Sequence, residues 1–305
     1  MHVPNPHVGR ADNAKEAIQT SILSILGNAA LAIIKGVAGY FGNSFALIAD
    51  AIESTTDVFS SIIVWVGLKY STAPPDKNHP YGHGKIEPLT TFAVVGFLVF
   101  SALIISYHAI LNLNEPQEAP EAYTLYILLF IIAFKEGLYQ YVKNKGKKTN
   151  STALVADAWH HRSDAITSAV AFVGIALSLC FGEGWEHADD WAALGAAGLI
   201  LFNAYIIFRP ALGEILDEDL HSDLEAEIRI YALETIGVLG IRKCMIRKSG
   251  MTYHVDLDIQ VDAQITVYDG HEIAHALHDD FAFKIPQISH MLVHIEPFEL
   301  TSKSE

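Results

Sequence analysis

Six apolar blocks, each near or above the roughly 20 residues a helix needs to cross a bilayer, set the terms for this chain. They fall at 17–40, 44–70, 88–112, 123–142, 152–180 and 191–209. The blocks are apolar nearly all round, whereas the surface helix of a soluble bundle carries a single apolar stripe. After Phe208 the text turns charged and alternating. The expected architecture is therefore a six-helix, all-α transmembrane domain over 17–211, with a cytoplasmic N-terminal segment over 1–16. A small cytoplasmic α+β domain follows over 212–305. Residues 1–16 are polar and predict no cleavable signal peptide, so the first block is expected to direct insertion itself.

The charge of the links predicts the orientation. Lys77 and Lys85 follow the second block, and Lys143, Lys145, Lys147 and Lys148 follow the fourth. The other links are short or acidic: Gly42-Asn43, Glu115 to Glu121, and Gly182 to Asp190. Basic links stay on the cytoplasmic side, so both termini are expected there. The formal net charge of −15 argues against nucleic acid, whose partners carry a basic face. Cys180 and Cys244 are far apart and in different predicted domains, with no Cys-x-x-Cys pair. No disulfide framework is expected.

Inside two of the apolar blocks the same acidic turn recurs. Ala49-Asp50-Ala51-Ile52-Glu53-Ser54-Thr55-Thr56-Asp57 is matched by Ala156-Asp157-Ala158-Trp159-His160-His161-Arg162-Ser163-Asp164. Carboxylates within a membrane span cost several kcal/mol and default to function. At about 100° per residue, Asp50, Glu53 and Asp57 fall within about 60° of one another, as do Asp157, His160 and Asp164. The predicted orientation puts Glu53 and Asp57 about 14–20 Å below one face, and His160 and Asp164 about 12–18 Å above the other. In a core about 30 Å thick both pairs reach the middle. Facing each other, Glu53, Asp57, His160 and Asp164 would offer three oxygens and a nitrogen to one divalent cation. An ion-pair network is the alternative, and Arg162 and Lys35 are the cations weighed for it. Arg162 lies about 200° round the helix from His160. Asp50 and Asp157, one turn further out, read as packing or hydration residues, and His161 as an interhelical hydrogen-bonding group.

Two further groups carry ligand types. Asp76, His79 and His83 lie in the loop Asp76-Lys77-Asn78-His79-Pro80-Tyr81-Gly82-His83-Gly84-Lys85 and could hold one ion or form an ordered turn. Lys85 and Glu87 read as interfacial anchors or interdomain partners. In the tail, Asp219 to Thr235 predicts a helix with Ser222 as N-cap and Glu225 completing a capping box. Strands follow over Gly240 to Lys248 and Tyr253 to Val261, then a helix over Tyr268 to Phe283 and a strand over Ile288 to Pro297. The order αββαβ predicts a ferredoxin-like sheet covered on one face by two helices. Asp258, His271, His294 and Glu296 could converge there on a second ion.

Taken together, the six blocks, the doubled Ala-Asp-Ala motif, the His-Pro-Tyr-Gly-His-Gly-Lys loop and the αββαβ tail resemble the cation diffusion facilitator family over essentially the whole chain. The resemblance implies a homodimeric, proton-coupled exporter of divalent transition metals, with Zn²⁺ or another such metal as substrate and regulatory ligand. It also implies a multi-pass protein of the bacterial inner membrane. It puts the transport ligands on Glu53, Asp57, His160 and Asp164, the loop site on Asp76, His79 and His83, and the tail site on Asp258, His271, His294 and Glu296. A charge interlock between the domains falls on Lys85 and Asp217. Glu53 stands where Asp or His is usual in zinc and iron members, and Asp258 where His is frequent. Arg242 falls where some members place a further ligand. His160 speaks against the manganese members, whose sites look all-carboxylate, so Zn²⁺ or Fe²⁺ is favoured, with Cd²⁺, Co²⁺ and Mn²⁺ open.

Two other classes compete. An intramembrane metal-dependent hydrolase would carry a general base beside its ligands, commonly as His-Glu-x-x-His, and no such run occurs. A cation channel would suit rings of acids, but a tight four-ligand site would trap the ion.

Overall fold

The computed structural model describes residues 6–41, 45–112, 123–181, 188–219 and 221–298. The chain divides into two compact units, one spanning Lys15–Leu212 and the other Gly213–Glu305 together with Met1–Ala14. The first unit holds α1 (Pro6–Phe41), α2 (Phe45–Ser71), α3 (Ile86–Asn112), α4 (Tyr123–Thr149), α5 (Thr152–Phe181) and α6 (Ala188–Ile215), the first and last of which run past its limits. Among the described residues four segments are long and apolar enough to cross a membrane by composition: Ala11–Val37, Ile86–Leu111, Leu125–Thr149 and Leu194–Ile215. The other two helices, α2 and α5, carry the acidic turns. At 27 and 30 residues they measure about 40 and 45 Å, also enough to span.

Helix α4 runs further than its apolar block suggests. The Lys143–Lys148 run is not a link but the last turns of the helix. Lysines are favoured at that end, where the helix dipole is negative, and Glu16 of α1 accepts hydrogen bonds from Lys145 and Lys148. The true link is Asn150-Ser151, with Asn150 at φ 57°. Ser151 Oγ then accepts from Leu154 N at 3.2 Å, capping α5. Glu87, wholly buried in the first turn of α3, adds its Oε1 to the same helix start, 3.2 Å from Ala153 N. Glu87 is thus a helix cap, not an interfacial anchor. Helices α2 and α3 approach closely where Gly67 meets Thr90: a Cβ on Gly67 would overlap the Thr90 hydroxyl. Small residues permit such contact where lipid supplies no hydrophobic drive.

In the second unit α7 (Ser222–Leu233) and α8 (Val267–Lys284) cover one face of a three-stranded sheet of β1 (Gly240–Ser249), β2 (Thr252–Val261) and β3 (Ile288–Pro297). The strand order is β1-β2-β3, with β1 and β2 antiparallel and β2 and β3 parallel. Alternation decides the faces: Val255, Leu257, Ile259 and Val261 are buried against Ile228, Leu277 and Phe281. One cap differs from expectation. The residue before α7 is His221, which makes no side-chain cap bond, while Ser222 is already helical and Glu225 pairs instead with Arg229 at 2.7 Å. A capping box does form at α8, between Thr266 and Asp269.

Candidate metal centre

The two acidic turns face each other within the helical unit. Asp57 of α2 and His160 and Asp164 of α5 each offer a ligand atom, and these atoms lie within 4.8 Å of one another. Helical periodicity explains the pairing on α5, since His160 and Asp164 are one turn apart. His160 Nε2 lies 3.1 Å from Asp57 Oδ1. Asp57 and His160 are buried, and Asp164 keeps about a quarter of its side chain accessible (25%). Helix α2 carries Glu53 one turn from Asp57, but its side chain, like that of Asp50, lies outside the described residues.

A third helix contributes the residue that sequence reasoning missed as a member of the site. Lys135 of α4 is 1% exposed, and its Nζ donates to Asp164 Oδ2 at 2.7 Å, Asp57 Oδ2 at 2.9 Å and Asn28 Oδ1 at 3.0 Å. Of the cations weighed from sequence, Arg162 turns to Glu136 (3.3 Å) and the Tyr139 ring, and Lys35 donates to Ser54 (2.8 Å). The signal for Lys135 was present as a charge inside an apolar block. Nothing in one dimension says which helix that charge faces.

Around this cluster a polar network ties the helices together. Asn28 Nδ2 donates to Ser61 Oγ at 3.0 Å, and Ser61 Oγ donates to Asp157 Oδ1 at 3.2 Å. His161 Nε2 lies 3.3 Å from Ser24 Oγ and 3.6 Å from Asp157 Oδ2. Asp157 and His161 therefore hold α5 to α1 and α2 beside the ligand cluster.

The loop between α2 and α3 brings Asp76, His79 and His83 together as well. Asp76 Oδ1 accepts from the backbone N–H groups of Asn78 (2.8 Å) and His79 (2.7 Å). These bonds, His79's foremost, hold the Asp76 carboxyl below its ordinary value. The imidazole of His79 lies 3.2 Å and that of His83 3.4 Å from this carboxylate, on its two oxygens. Gly82, at φ 84°, supplies the left-handed turn that folds the loop back.

The tail residues do not gather in the same way. Asp258 pairs with His294 across β2 and β3, and Glu296 follows two residues on, so these three share the sheet face away from the helices. His271 belongs to α8, on the opposite side of the sheet, its ring edge-to-face with that of His275 at 4.4 Å between centroids. Arg242 donates to Glu296 Oε2 at 2.7 Å, giving that carboxylate a cation already. Among the described residues the four do not form a ligand cluster, because the sheet separates one from the other three. Lys85 and Asp217 belong to separate units.

A multi-pass helical protein with carboxylates and imidazole converging between its helices is of the class that moves metal ions. A family model for the cation efflux transmembrane domain matches residues 21–216, and one for the cytoplasmic domain of cation efflux proteins matches 220–298. The chain belongs to the cation diffusion facilitator family of metal efflux transporters, which are not enzymes. It is 29% identical to the manganese efflux system protein MneP of Bacillus subtilis (strain 168), covering 92% of this chain and 96% of that one. An uncharacterized transporter of Methanocaldococcus jannaschii is 32% identical, covering 92% and 99%. A solved MamM-CTD chain is 28% identical, covering 26% of this chain and 99% of its own, with a TM-score of 0.26.

Proposed function

We propose that this protein exports divalent transition-metal ions from the cytoplasm in exchange for protons, with Glu53, Asp57, His160 and Asp164 as the transport ligands. The observation that carries the reading is the convergence of Asp57, His160 and Asp164 from two membrane helices on one buried point. A metal needs the carboxylates ionised and the imidazole neutral, so protons and metal compete for the same lone pairs. In a bundle that opens alternately to each side, protons from outside displace the metal outward, and cytoplasmic metal displaces the protons inward. The protein sits in a cytoplasmic membrane with both termini inside. It works as a homodimer joined through its C-terminal domains.

Imidazole among the ligands favours Zn²⁺ or Fe²⁺ by ligand softness. The manganese named for MneP keeps Mn²⁺ in the panel. The Asp76, His79 and His83 loop offers a weaker, exposed site for the same ions at the cytoplasmic mouth, and Lys85 with Asp217 joins the units. The tail's Asp258, His271, His294 and Glu296 are the remaining candidate ligands; within one chain Asp258, His294 and Glu296 share a sheet face and His271 lies on the other side. Calorimetry on purified protein tests the ligand assignment with Zn²⁺, Fe²⁺ and Mn²⁺ in turn. Asp57→Ala and Asp164→Ala should each weaken the strongest binding event by more than the roughly 10- to 100-fold that accompanies loss of a mere supporting group. Unchanged binding in both variants would remove these residues from the site.

A further inference from the structure

We propose that Lys135 is a tethered cation that competes with the metal substrate for Asp57 and Asp164, so that metal loads by displacing its ammonium. This rests on the proposed ligand set and adds a third helix, α4, to the transport mechanism. The ammonium has three protons to donate. All three are accounted for by oxygens at 2.7, 2.9 and 3.0 Å, on α5, α2 and α1. Two of those oxygens belong to the carboxylates that also lie within reach of His160. A lysine therefore lies in the place where a divalent ion would gather its ligands.

The chemistry of lysine suits displacement. Its charge is compact and rides on a flexible four-carbon stem, so it can leave a carboxylate without moving the backbone. The third partner, Asn28, is neutral, and its Oδ1 stays available to the ammonium when the carboxylates turn to the metal. A fixed ion pair would serve a helix bundle equally well as packing, but it would not serve export. A site lined by acids and imidazole binds its cation tightly, and passage requires binding weak enough to leave. A tethered competitor lowers the apparent affinity by the fraction of time that the site stands open. It also supplies the charge that replaces the departing metal.

Zn²⁺ binding to the full-length protein, reconstituted in nanodiscs, tests the idea through three variants. Lys135→Met removes the charge at similar volume, and should tighten Zn²⁺ binding by about tenfold or more if the ammonium holds the site at least about nine-tenths of the time. Lys135→Arg keeps the charge and should bind no tighter than wild type. Binding to Lys135→Met that is equal to or weaker than wild type overturns the proposal. Should the Met variant fail to fold, wild-type protein labelled with ¹⁵N-lysine gives the second readout. Its Lys135 signal, assigned by its loss in Lys135→Arg, should shift on saturation with Zn²⁺, and a signal that stays put overturns the proposal. Asp57→Asn separates the two failures. If it binds Zn²⁺ as wild type does, the ligand reading itself falls, whereas if it loses binding while Lys135→Met does not gain any, only the competitor role falls.

Discussion

Asp57 meets three partners: His160 on one oxygen at 3.1 Å, Lys135 on the other at 2.9 Å, and Asn28 on its backbone carbonyl at 3.4 Å. Its place in the cluster was legible in the sequence, because an acidic turn repeated inside two apolar blocks is too costly to keep in a membrane without a use. Lys135 was not, because its one-dimensional context was an apolar run, and only the packing of α4 against α5 aims it inward. Single residues also report orientation. Cys244 is buried in the sheet, and burial pushes its thiol up to about 11, so at neutral pH it stays a protonated, inert thiol. Cys180 lies exposed at the end of α5 that the proposed orientation puts outside. A membrane-impermeant maleimide added to intact cells should therefore label Cys180 and leave Cys244 unmodified. Labelling of Cys180 only after the cells are opened would reverse the orientation.

At the scale of elements, most boundaries follow from composition, and the exceptions have local causes. The three strands and both tail helices lie within a few residues of their patterns, because alternation and turn residues mark them on their own. Helix α4 outran its apolar block because lysine is a good helix former and its last turns are pinned to Glu16. The cap expected at Ser222 failed because Glu225 found Arg229, a partner one turn away. The tail quartet does not gather within the chain because strand parity fixes a face. Asp258, His294 and Glu296 share one, and no helix packed on the other can bring His271 round to it. Glu87 shows what pattern reading cannot reach, a carboxylate on α3 that caps α5 from 66 residues away in sequence. Replacing it with alanine should cost about 1–2 kcal/mol, the usual worth of a cap aided by the helix dipole. Thermal unfolding in detergent should show this as a lower midpoint. An unchanged midpoint would mean that Ser151 caps α5 unaided.

For the whole molecule, a buried cluster of like charges has to be reconciled with a stable membrane fold. Three devices do this: a lysine and an asparagine on neighbouring helices, an Asp157–His161–Ser24 network that binds α5 to α1, and a close glycine contact that keeps α2 tight against α3. The acids are thus held ready for a cation while the helices around them stay packed. In the proposed mechanism the functional consequence is exchange, in which each metal ion that leaves the site makes room for other positive charge. Proteoliposomes loaded with a metal-sensitive dye on one side and a pH-sensitive dye in the lumen measure that exchange directly. Zn²⁺ entering through the wild-type protein should drive protons the opposite way and dissipate an imposed proton gradient, and Asp57→Asn should abolish both signals together. Zn²⁺ flux that ignores the gradient, or that persists in Asp57→Asn, would contradict the account.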